Sequence, residues 1–321
     1  MTRIPRVSVG VPVRNGVQYL QRTLDDLLGQ TMEDLEVVVC DNGSTDGTPA
    51  LLEEISRRDG RVRVHRNAVD LGPAANYDAT LRQSRADLFC WSAADDRHDP
   101  DFLACTVAAL DADRTAAVAT VGVRRIGPDD EDLGRVEGEP DLSCSDVAER
   151  LRRLVFADQR RHGGHELFGV MRRDVLLRIG AQGPFAHSDR VTLVRLVLHG
   201  RFIRVDRDLF FNREHAGRSS LLRPVRAYGG RGWAVSALGS GPMPPDVWWD
   251  PSRANRVVWP EWRQLQEYQR AVQRAPLTPD ERWRCRRVLA AFAVHQVPKL
   301  TRDVLIGVEF AARRAADRVP S

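Results

Sequence analysis

The sequence predicts an α/β protein with a mostly parallel β-sheet flanked by helices, followed by a helical C-terminal extension. Two observations support this fold class. Over residues 1–125, short apolar runs alternate with stretches of helical periodicity, and polar residues cluster where four of the apolar runs end. Alternation of strands and helices is typical of a parallel sheet, because each parallel connection needs a crossover segment that is usually a helix.

The first half of the chain contains five apolar runs that are predicted to be strands, at 7–13, 35–40, 62–65, 88–92 and 117–123. Between them the periodicity predicts four helices, at 17–28, from Thr48 onward, at 73–84 and at 100–112. The second of these helices has a marked start, since Thr48 offers a capping hydroxyl and Pro49 suits the first helical position.

Residues 126–220 continue the same pattern less regularly. A charged stretch, "GPDDEDLGRVEGEPD", is predicted to be a loop. After it we expect a helix over 145–156, a strand over 167–172, a helix capped by Ser188 and stopped by Gly200, and two short strands over 202–205 and 209–212.

The last hundred residues differ in composition. The stretch "YGGRGWAVSALGSGPMPPDVWWDPS" is rich in Gly and Pro and could form a lid, and three helices are predicted to start at Pro260, "LTPDE" and "LTRD". Trp248 and Trp249 suit contact with an acceptor or a partner, whereas packing is predicted for the tryptophans in or beside helices, which are Trp259, Trp262 and Trp283. The last helix could dock on the rest of the chain or form a homodimer.

Charge and cysteine content exclude several classes of protein. The chain has 48 basic and 44 acidic residues without a long block of one sign, which argues against nucleic-acid binding but leaves anionic small molecules as ligands. Five cysteines without a C-x-x-C pair argue against a disulfide framework or a zinc knuckle. No run of 18 apolar residues occurs, so we expect a cytoplasmic protein without a membrane span, although peripheral membrane association stays open.

The polar clusters at the predicted strand ends are "VPVRN", "CDNGSTDG", "NAVDLGPAAN" and "SAADDRHD". In an open parallel sheet such loops converge on one crevice, which is where ligands bind. Each cluster taken alone is also what a tight turn requires. Neither G-x-G-x-x-G nor the GK[ST] of a P-loop is present, so dinucleotide and P-loop sites are not supported.

Three aspartates in these clusters suggest specific chemistry. Asp41 is a fixed acceptor suited to the imide N–H of uracil or thymine, although it could equally bond its own backbone in an Asx-turn. Asp95 and Asp96 are adjacent and would repel each other unless a cation neutralises them. A divalent ion, Mg²⁺ or Mn²⁺, would do so and would also offset charge on a diphosphate, while the alternative is a solvated turn paired with Arg97.

Four stretches, "VSVGVPVRNG", "VVVCDNGSTDGT", "NAVDLGPAANYDATL" and "WSAADD", occur in an order and spacing that resemble the nucleotide-sugar half of family 2 glycosyltransferases. The resemblance covers roughly the first 215 residues. It implies a GT-A fold, a nucleoside-diphosphate sugar donor, and inversion at the anomeric carbon by a single displacement. It also implies a catalytic domain over 1–220, with a nucleotide-sugar half (1–125) and an acceptor half (126–220), before a lid and helical extension over 221–321.

The resemblance also assigns residues on the donor side. The nucleotide-sugar site would include Pro12, Val13, Arg14, Asn15, Asp41, Gly72, Asn76 and Asp95, with the base held by Asp41 and the ribose or pyrophosphate contacted by Asp95. Asp96 would hold the metal. The chain departs from the family pattern at two positions: Ala93 replaces the first acid of the usual Asp-Xaa-Asp, and Asn42 replaces a more common second Asp.

On the acceptor side, "GPFAHSDRVTLVRLVLHGRF" resembles the family segment in which an acid at a helix start acts as general base, which here would be Asp189. The helix macrodipole alone also favours an Asp at this position. The stretch "FNREHAGRS" offers His215 as a metal ligand and Arg213 and Arg218 as phosphate clamps, or else a solvated loop histidine.

The leading hypothesis is therefore an inverting, metal-assisted glycosyltransferase that uses a UDP- or dTDP-sugar and a hydroxyl-bearing acceptor of unknown identity. A sugar nucleotidyltransferase would be expected to carry a Gly-rich basic loop after the first strand, and "VPVRNG" is not such a loop. A catalytically silent nucleotide-sugar-binding or scaffolding protein is the third hypothesis, and the missing first acid is the argument for it.

Overall fold

The computed structural model describes residues 3–158, 162–180, 182–217 and 259–316. The strands in this part of the chain are β1 (Val7–Val13), β2 (Leu35–Asp41), β3 (Val62–Arg66), β4 (Leu88–Trp91), β5 (Arg97–His98), β6 (Ala116–Ile126), β7 (Asp132–Arg135), β8 (Val170–Arg172) and β9 (Arg201–Arg213). The helices are α1 (Val17–Leu28), α2 (Thr48–Arg58), α3 (Pro73–Gln83), α4 (Phe102–Ala112), α5 (Val147–Val155), α6 (Arg173–Ile179), α7 (Ser188–Val197), α8 (Pro260–Arg274), α9 (Pro279–His295) and α10 (Val297–Ala316), with a 3₁₀ turn at His165–Phe168.

The described strands form one nine-stranded sheet in the order β3-β2-β1-β4-β8-β6-β9-β5, with β7 paired to β6. The first four strands, β1 to β4, are parallel to one another, as the alternating pattern predicts. Strands β1 and β2 are almost entirely buried, which explains why they read as continuous apolar runs rather than alternating ones. The fold class predicted from the sequence is confirmed.

The second half of the sheet is mixed. Strand β8 is antiparallel to both β4 and β6, while β6 and β9 are parallel. The prediction of two short strands over 202–205 and 209–212 is wrong, since β9 is one strand whose pairing with β6 shifts register around Gly122. The predicted charged loop contains β7, an exposed edge strand whose charges face solvent, so its polar composition hid it.

Two predicted helix caps are also wrong. Thr48 and Ser188 are the first residues of α2 and α7, and the N-cap positions are Gly47 and His187. The Thr48 hydroxyl instead accepts a hydrogen bond from the Gly16 backbone N–H at 3.0 Å. The side chain therefore links two loops, a contact that local sequence rules cannot anticipate.

The three predicted C-terminal helices are present, although the last begins at Val297 rather than at the predicted "LTRD", and they share a core with the second half of the sheet. Buried residues of α8 and α9, including Tyr268 and Phe292, lie in the same apolar cluster as residues of α5 and α7. The tryptophans in or beside these helices are only about half buried, with exposures of 51%, 46% and 55% at positions 259, 262 and 283, so the packing predicted for them is partial. Among the described residues no helix is both long and apolar enough to cross a membrane.

Some sequence predictions fall outside the described residues. They concern the Gly/Pro-rich stretch proposed as a lid, Trp248, Trp249 and Arg218.

Candidate functional site

The loop after β1 is tied directly to the loop after β2. The Asn15 backbone N–H donates to the Ser44 hydroxyl at 2.8 Å, and the Asn15 side-chain oxygen accepts from the Thr45 N–H at 2.8 Å. Asn15 has a positive φ of 52°, a conformation that asparagine tolerates better than most residues. These contacts hold two of the predicted polar clusters against each other.

Asn42 connects the end of β2 to the loop that precedes α3. Its amide nitrogen donates to Asp70 Oδ1 at 2.7 Å, and its oxygen accepts from Asn67 Nδ2 and from the Leu71 N–H, both at 3.0 Å. A carboxylate in place of this amide would face Asp70 with like charge and no donor. The departure from the family pattern at residue 42 thus has a physical reason that the sequence pattern did not reveal.

Asp41 is 1% exposed and uses its two carboxylate oxygens differently. Oδ1 accepts from the Ser44 N–H at 2.9 Å, which is the predicted Asx-turn. Oδ2 is buried, lies 3.4 Å from Arg66 Nε, and accepts no hydrogen bond within the described part of the chain. Since a buried acceptor without a hydrogen bond is unfavourable, Oδ2 is suited to a donor on a ligand. The turn and the ligand-binding interpretation are therefore compatible.

The other donor-side residues divide between exposed and structural positions. Asn76 is buried and donates to the Cys40 carbonyl at 2.8 Å, so its amide ties α3 to β2. Gly72 precedes α3 with φ of 82°, which favours glycine. Val13 is buried in β1, whereas Arg14 is half-exposed and pairs with Asp70 at 3.2 Å. Pro12 is partly exposed at the end of the same strand.

The two adjacent acids after β4 turn to different partners on and after β9. Asp95 Oδ2 lies 2.8 Å from His215 Nε2, and Asp96 Oδ1 accepts from the Arg213 N–H at 2.8 Å and from Asn212 Nδ2 at 3.0 Å. Arg97 instead forms a bidentate pair with Asp26, so the alternative in which Arg97 neutralises the acidic turn is wrong. The repulsion between Asp95 and Asp96 is therefore relieved by residues about 120 positions further along the chain.

Arg213 supports the acidic turn from beneath. Its side chain is fully buried and donates to the carbonyls of Asp95 at 2.8 Å, Gly127 at 2.8 Å and Pro128 at 3.0 Å, and to the carboxylate of Asp130. Its guanidinium lies 4.7 Å from the centre of the Tyr19 ring. With this many protein acceptors, Arg213 holds the loop in place rather than clamping a phosphate.

Asp95 and His215 bring together two side chains of types that can bind a divalent ion. A carboxylate oxygen and an imidazole nitrogen lie side by side in partly exposed positions. Mg²⁺ or Mn²⁺ in such sites takes one or two protein ligands and completes its shell with substrate phosphates and water. No group of three ligand side chains occurs in the described part of the chain. His215 contacts Asp95 here, and a metal-binding role for Asp96 stays a prediction.

The predicted base, Asp189, is in the first turn of α7 and is partly buried. Burial raises the pKa of the Tyr77 phenol on α3. The charges of three carboxylates raise that pKa further, namely those of Asp95, Asp96 and Asp189. The negative charges of the acidic turn and of Asp189 therefore both disfavour ionisation of this phenol.

Comparison with protein families gives one match, to the model described as Glycosyl transferase family 2, over residues 8–179. A chondroitin synthase of Pasteurella multocida is 27% identical over 205 residues, and a hyaluronan synthase of Pasteurella multocida is 26% identical over 207 residues. Each alignment covers 62% of this chain, and the chain spans about a fifth (21%) of the length of these two relatives.

Among solved structures, residues 1–349 of S. aureus TarS in complex with UDP-GlcNAc superimpose with a TM-score of 0.63 at 16% identity, covering 91% of this chain and 72% of TarS 1–349. The complex of the same fragment with UDP gives a TM-score of 0.62 at 15% identity. At this identity the likeness shows the fold, and it confirms the predicted GT-A architecture with C-terminal helices.

Proposed function

The chain belongs to glycosyl transferase family 2, because the family model matches more than half of it, and from this we propose that it transfers a sugar from a UDP- or dTDP-sugar to a hydroxyl-bearing acceptor with inversion. It is a glycosyltransferase of GT-A fold. The observation that carries the proposal is the buried Oδ2 of Asp41 at the end of β2, which accepts no hydrogen bond within the described residues.

The nucleotide would lie at the ends of β1 and β2. Asp41 Oδ2, buried and without a hydrogen bond in the described part of the chain, suits the imide N–H that uracil and thymine carry. Support also comes from TarS, whose solved complexes contain UDP and UDP-GlcNAc. The diphosphate would then extend toward Asp95 and His215.

In the proposed displacement, Asp189 accepts the proton of the acceptor hydroxyl while the oxygen of that hydroxyl forms the new bond to the anomeric carbon. The bond from that carbon to the diphosphate breaks, and the leaving oxygen keeps the bonding electrons. A divalent ion held at Asp95 and His215 would stabilise the negative charge of the diphosphate. Because attack and departure are on opposite faces of the sugar, the base and the phosphate-binding residues must lie on opposite sides of it.

Thermal-shift measurements with UDP, dTDP and GDP, each with and without Mn²⁺, test the donor assignment. We expect UDP or dTDP to raise Tm more than GDP does, because GDP offers a larger base with a different donor pattern. We also expect Asp189→Asn to keep UDP binding and to lose transfer. Equal stabilisation by the three nucleotides would contradict the assignment of uracil or thymine as the nucleobase. Normal turnover by Asp189→Asn would contradict the assignment of Asp189 as the general base.

A silent nucleotide-sugar-binding protein is the second candidate, and Ala93 in place of the first acid is the observation that favours it. Release of free nucleoside diphosphate on incubation with a sugar donor and Mn²⁺ separates the two functions, since a silent protein binds donor without consuming it. We also propose a cytoplasmic location, for which the five unpaired cysteines are the supporting observation.

A further inference from the structure

The residue two positions before Asp189 has an unusual backbone. His187 has a φ of 66°, in the left-handed region, and its side chain is buried, with 7% of the residue exposed. For a residue other than glycine, this conformation is unfavourable by about 1–2 kcal/mol and persists only where the surroundings impose it. The His187 carbonyl accepts from the Val191 N–H at 3.0 Å, so residue 187 sets where α7 begins.

The first turn of α8 supplies the contacts that hold this segment. Glu261 Oε1 lies 3.6 Å from His187 Nε2, and both side chains are more than nine-tenths buried. Two residues further on, the Arg263 guanidinium lies 4.3 Å from the centre of the Phe185 ring. The C-terminal extension therefore contacts Phe185 and His187, which lie four and two residues before the predicted base.

Glu261 is itself fixed from α10. Its backbone N–H donates to Asp303 Oδ2 at 2.7 Å, and its carboxylate lies 3.4 Å from Arg302 Nη2. Burial opposes ionisation of Glu261, but the nearby His187 ring, together with the charges of Lys299 and Arg302, holds the pKa of Glu261 below its ordinary value. An ionised Glu261 in a fixed position is suited to orient the His187 ring.

We propose that Glu261 is a positioning residue for the transfer reaction, acting through His187 on Asp189, so that the C-terminal extension is part of the catalytic machinery. This inference rests on the proposed function, in which Asp189 is the general base. A carboxylate that is misplaced by about 1 Å can lower the rate by up to about 100-fold, so a residue that fixes the start of α7 affects turnover without contacting substrate.

The test uses four variants of the full chain. Glu261→Gln removes the charge at nearly constant volume, and His187→Gly removes the ring while accepting the left-handed backbone. The third variant combines the two changes. The control is Glu267→Gln, which breaks the 2.8 Å pair between Glu267 on α8 and Arg195 on α7, two turns away from Asp189.

Turnover is measured as UDP release from UDP-glucose and UDP-N-acetylglucosamine, and UDP affinity by calorimetry. We expect each single substitution to lower UDP release about tenfold with less than about a twofold change in the Kd for UDP. The double variant should release UDP no more slowly than the slower of the two single variants, since both changes interrupt the same contact between Glu261 and His187. Glu267→Gln should lower Tm comparably and keep turnover.

Two results would overturn the inference: Glu261→Gln turning over as fast as Glu267→Gln, or a double variant whose defect is the product of the single defects. Failure of the proposed function looks different. A wild-type protein that binds neither UDP nor dTDP, and releases neither from UDP-sugars or dTDP-sugars, refutes that function and, with it, this inference. An active wild type, an inactive Asp189→Asn and a fully active Glu261→Gln refute the positioning role alone.

Discussion

Replacing Arg213 by lysine should loosen the acidic turn while leaving its carboxylates in the sequence. The buried guanidinium donates hydrogen bonds to the carbonyls of Asp95, Gly127 and Pro128 and to the carboxylate of Asp130. Lysine carries its donors on one nitrogen at the end of a flexible chain and cannot reach acceptors in so many directions.

The size of the effect follows from the count of lost contacts. If lysine keeps Asp130 and one carbonyl, two buried or partly buried carbonyls lose their donor at about 1–3 kcal/mol each. The variant should therefore lose about 2–6 kcal/mol of unfolding free energy. At about 2–4 °C per kcal/mol for a domain of this size, Tm should fall by about 10 °C.

The functional consequence concerns the metal-dependent part of donor binding. Because the hydrogen bond to the Asp95 carbonyl is among those lost, the Asp95 carboxylate should no longer be held beside His215. We expect the gain in UDP affinity on adding Mn²⁺ to shrink about tenfold, or roughly 1.4 kcal/mol, with little change in affinity without metal.

Urea unfolding and calorimetry with UDP, in the presence and absence of Mn²⁺, measure both effects. The matched control is Arg207→Lys, since Arg207 is half-exposed and pairs with Asp101 at 3.0 Å, where we expect a loss below about 1 kcal/mol. The reasoning is refuted if the Arg213 variant is as stable as the control. An unstable variant with unchanged metal dependence would refute the link between Arg213 and the metal site.

Three further predictions concern charge and stability. His98 is buried with neither ring nitrogen hydrogen-bonded within the described residues, and burial lowers its pKa to about 4. Because the pKa of His98 is lower in the folded than in the unfolded protein, the free energy of unfolding should fall by about 2 kcal/mol from pH 8 to pH 5. Urea unfolding should show no such loss for His98→Phe. Burial raises the pKa of Asp303 to about 6, so stability present below pH ~4 should be lost as pH rises through 6. Asp303→Asn, which can still accept from Glu261, should gain up to about 3 kcal/mol at pH 8, and an unchanged Tm there would contradict this. Asn42→Asp places a carboxylate against Asp70 and should lower Tm at pH 7 by more than at pH 5, whereas a pH-independent loss would exclude charge repulsion as the cause.

The parallel half of the fold was predictable because its signals are local. Each of β1 to β4 is an apolar run, and each following helix has its own periodicity, so the predicted bounds lie within a few residues of those observed. The elements missed were β5, β7 and α6, which are short or charged. They depend on pairing or packing partners that are distant in sequence, so no local pattern marks them.

In the candidate site, the sequence indicated that the loops at the strand ends meet, but not which side chains contact each other within them. Asp41 and Asp95 were recognisable by their positions after strands. That Asp95 contacts His215 and that Asn42 contacts Asp70 follows from how loops 28 to 120 residues apart meet in space.

The order of apolar and polar residues thus determined by itself that this chain forms a parallel sheet with polar loops at one edge, because strand and helix periods are written into neighbouring positions. Only the tertiary structure decided which carboxylates are available to a ligand and which are occupied by the protein. That distinction depends on burial and on hydrogen-bond partners supplied by remote segments, such as Arg213 beneath the acidic turn and Glu261 behind His187.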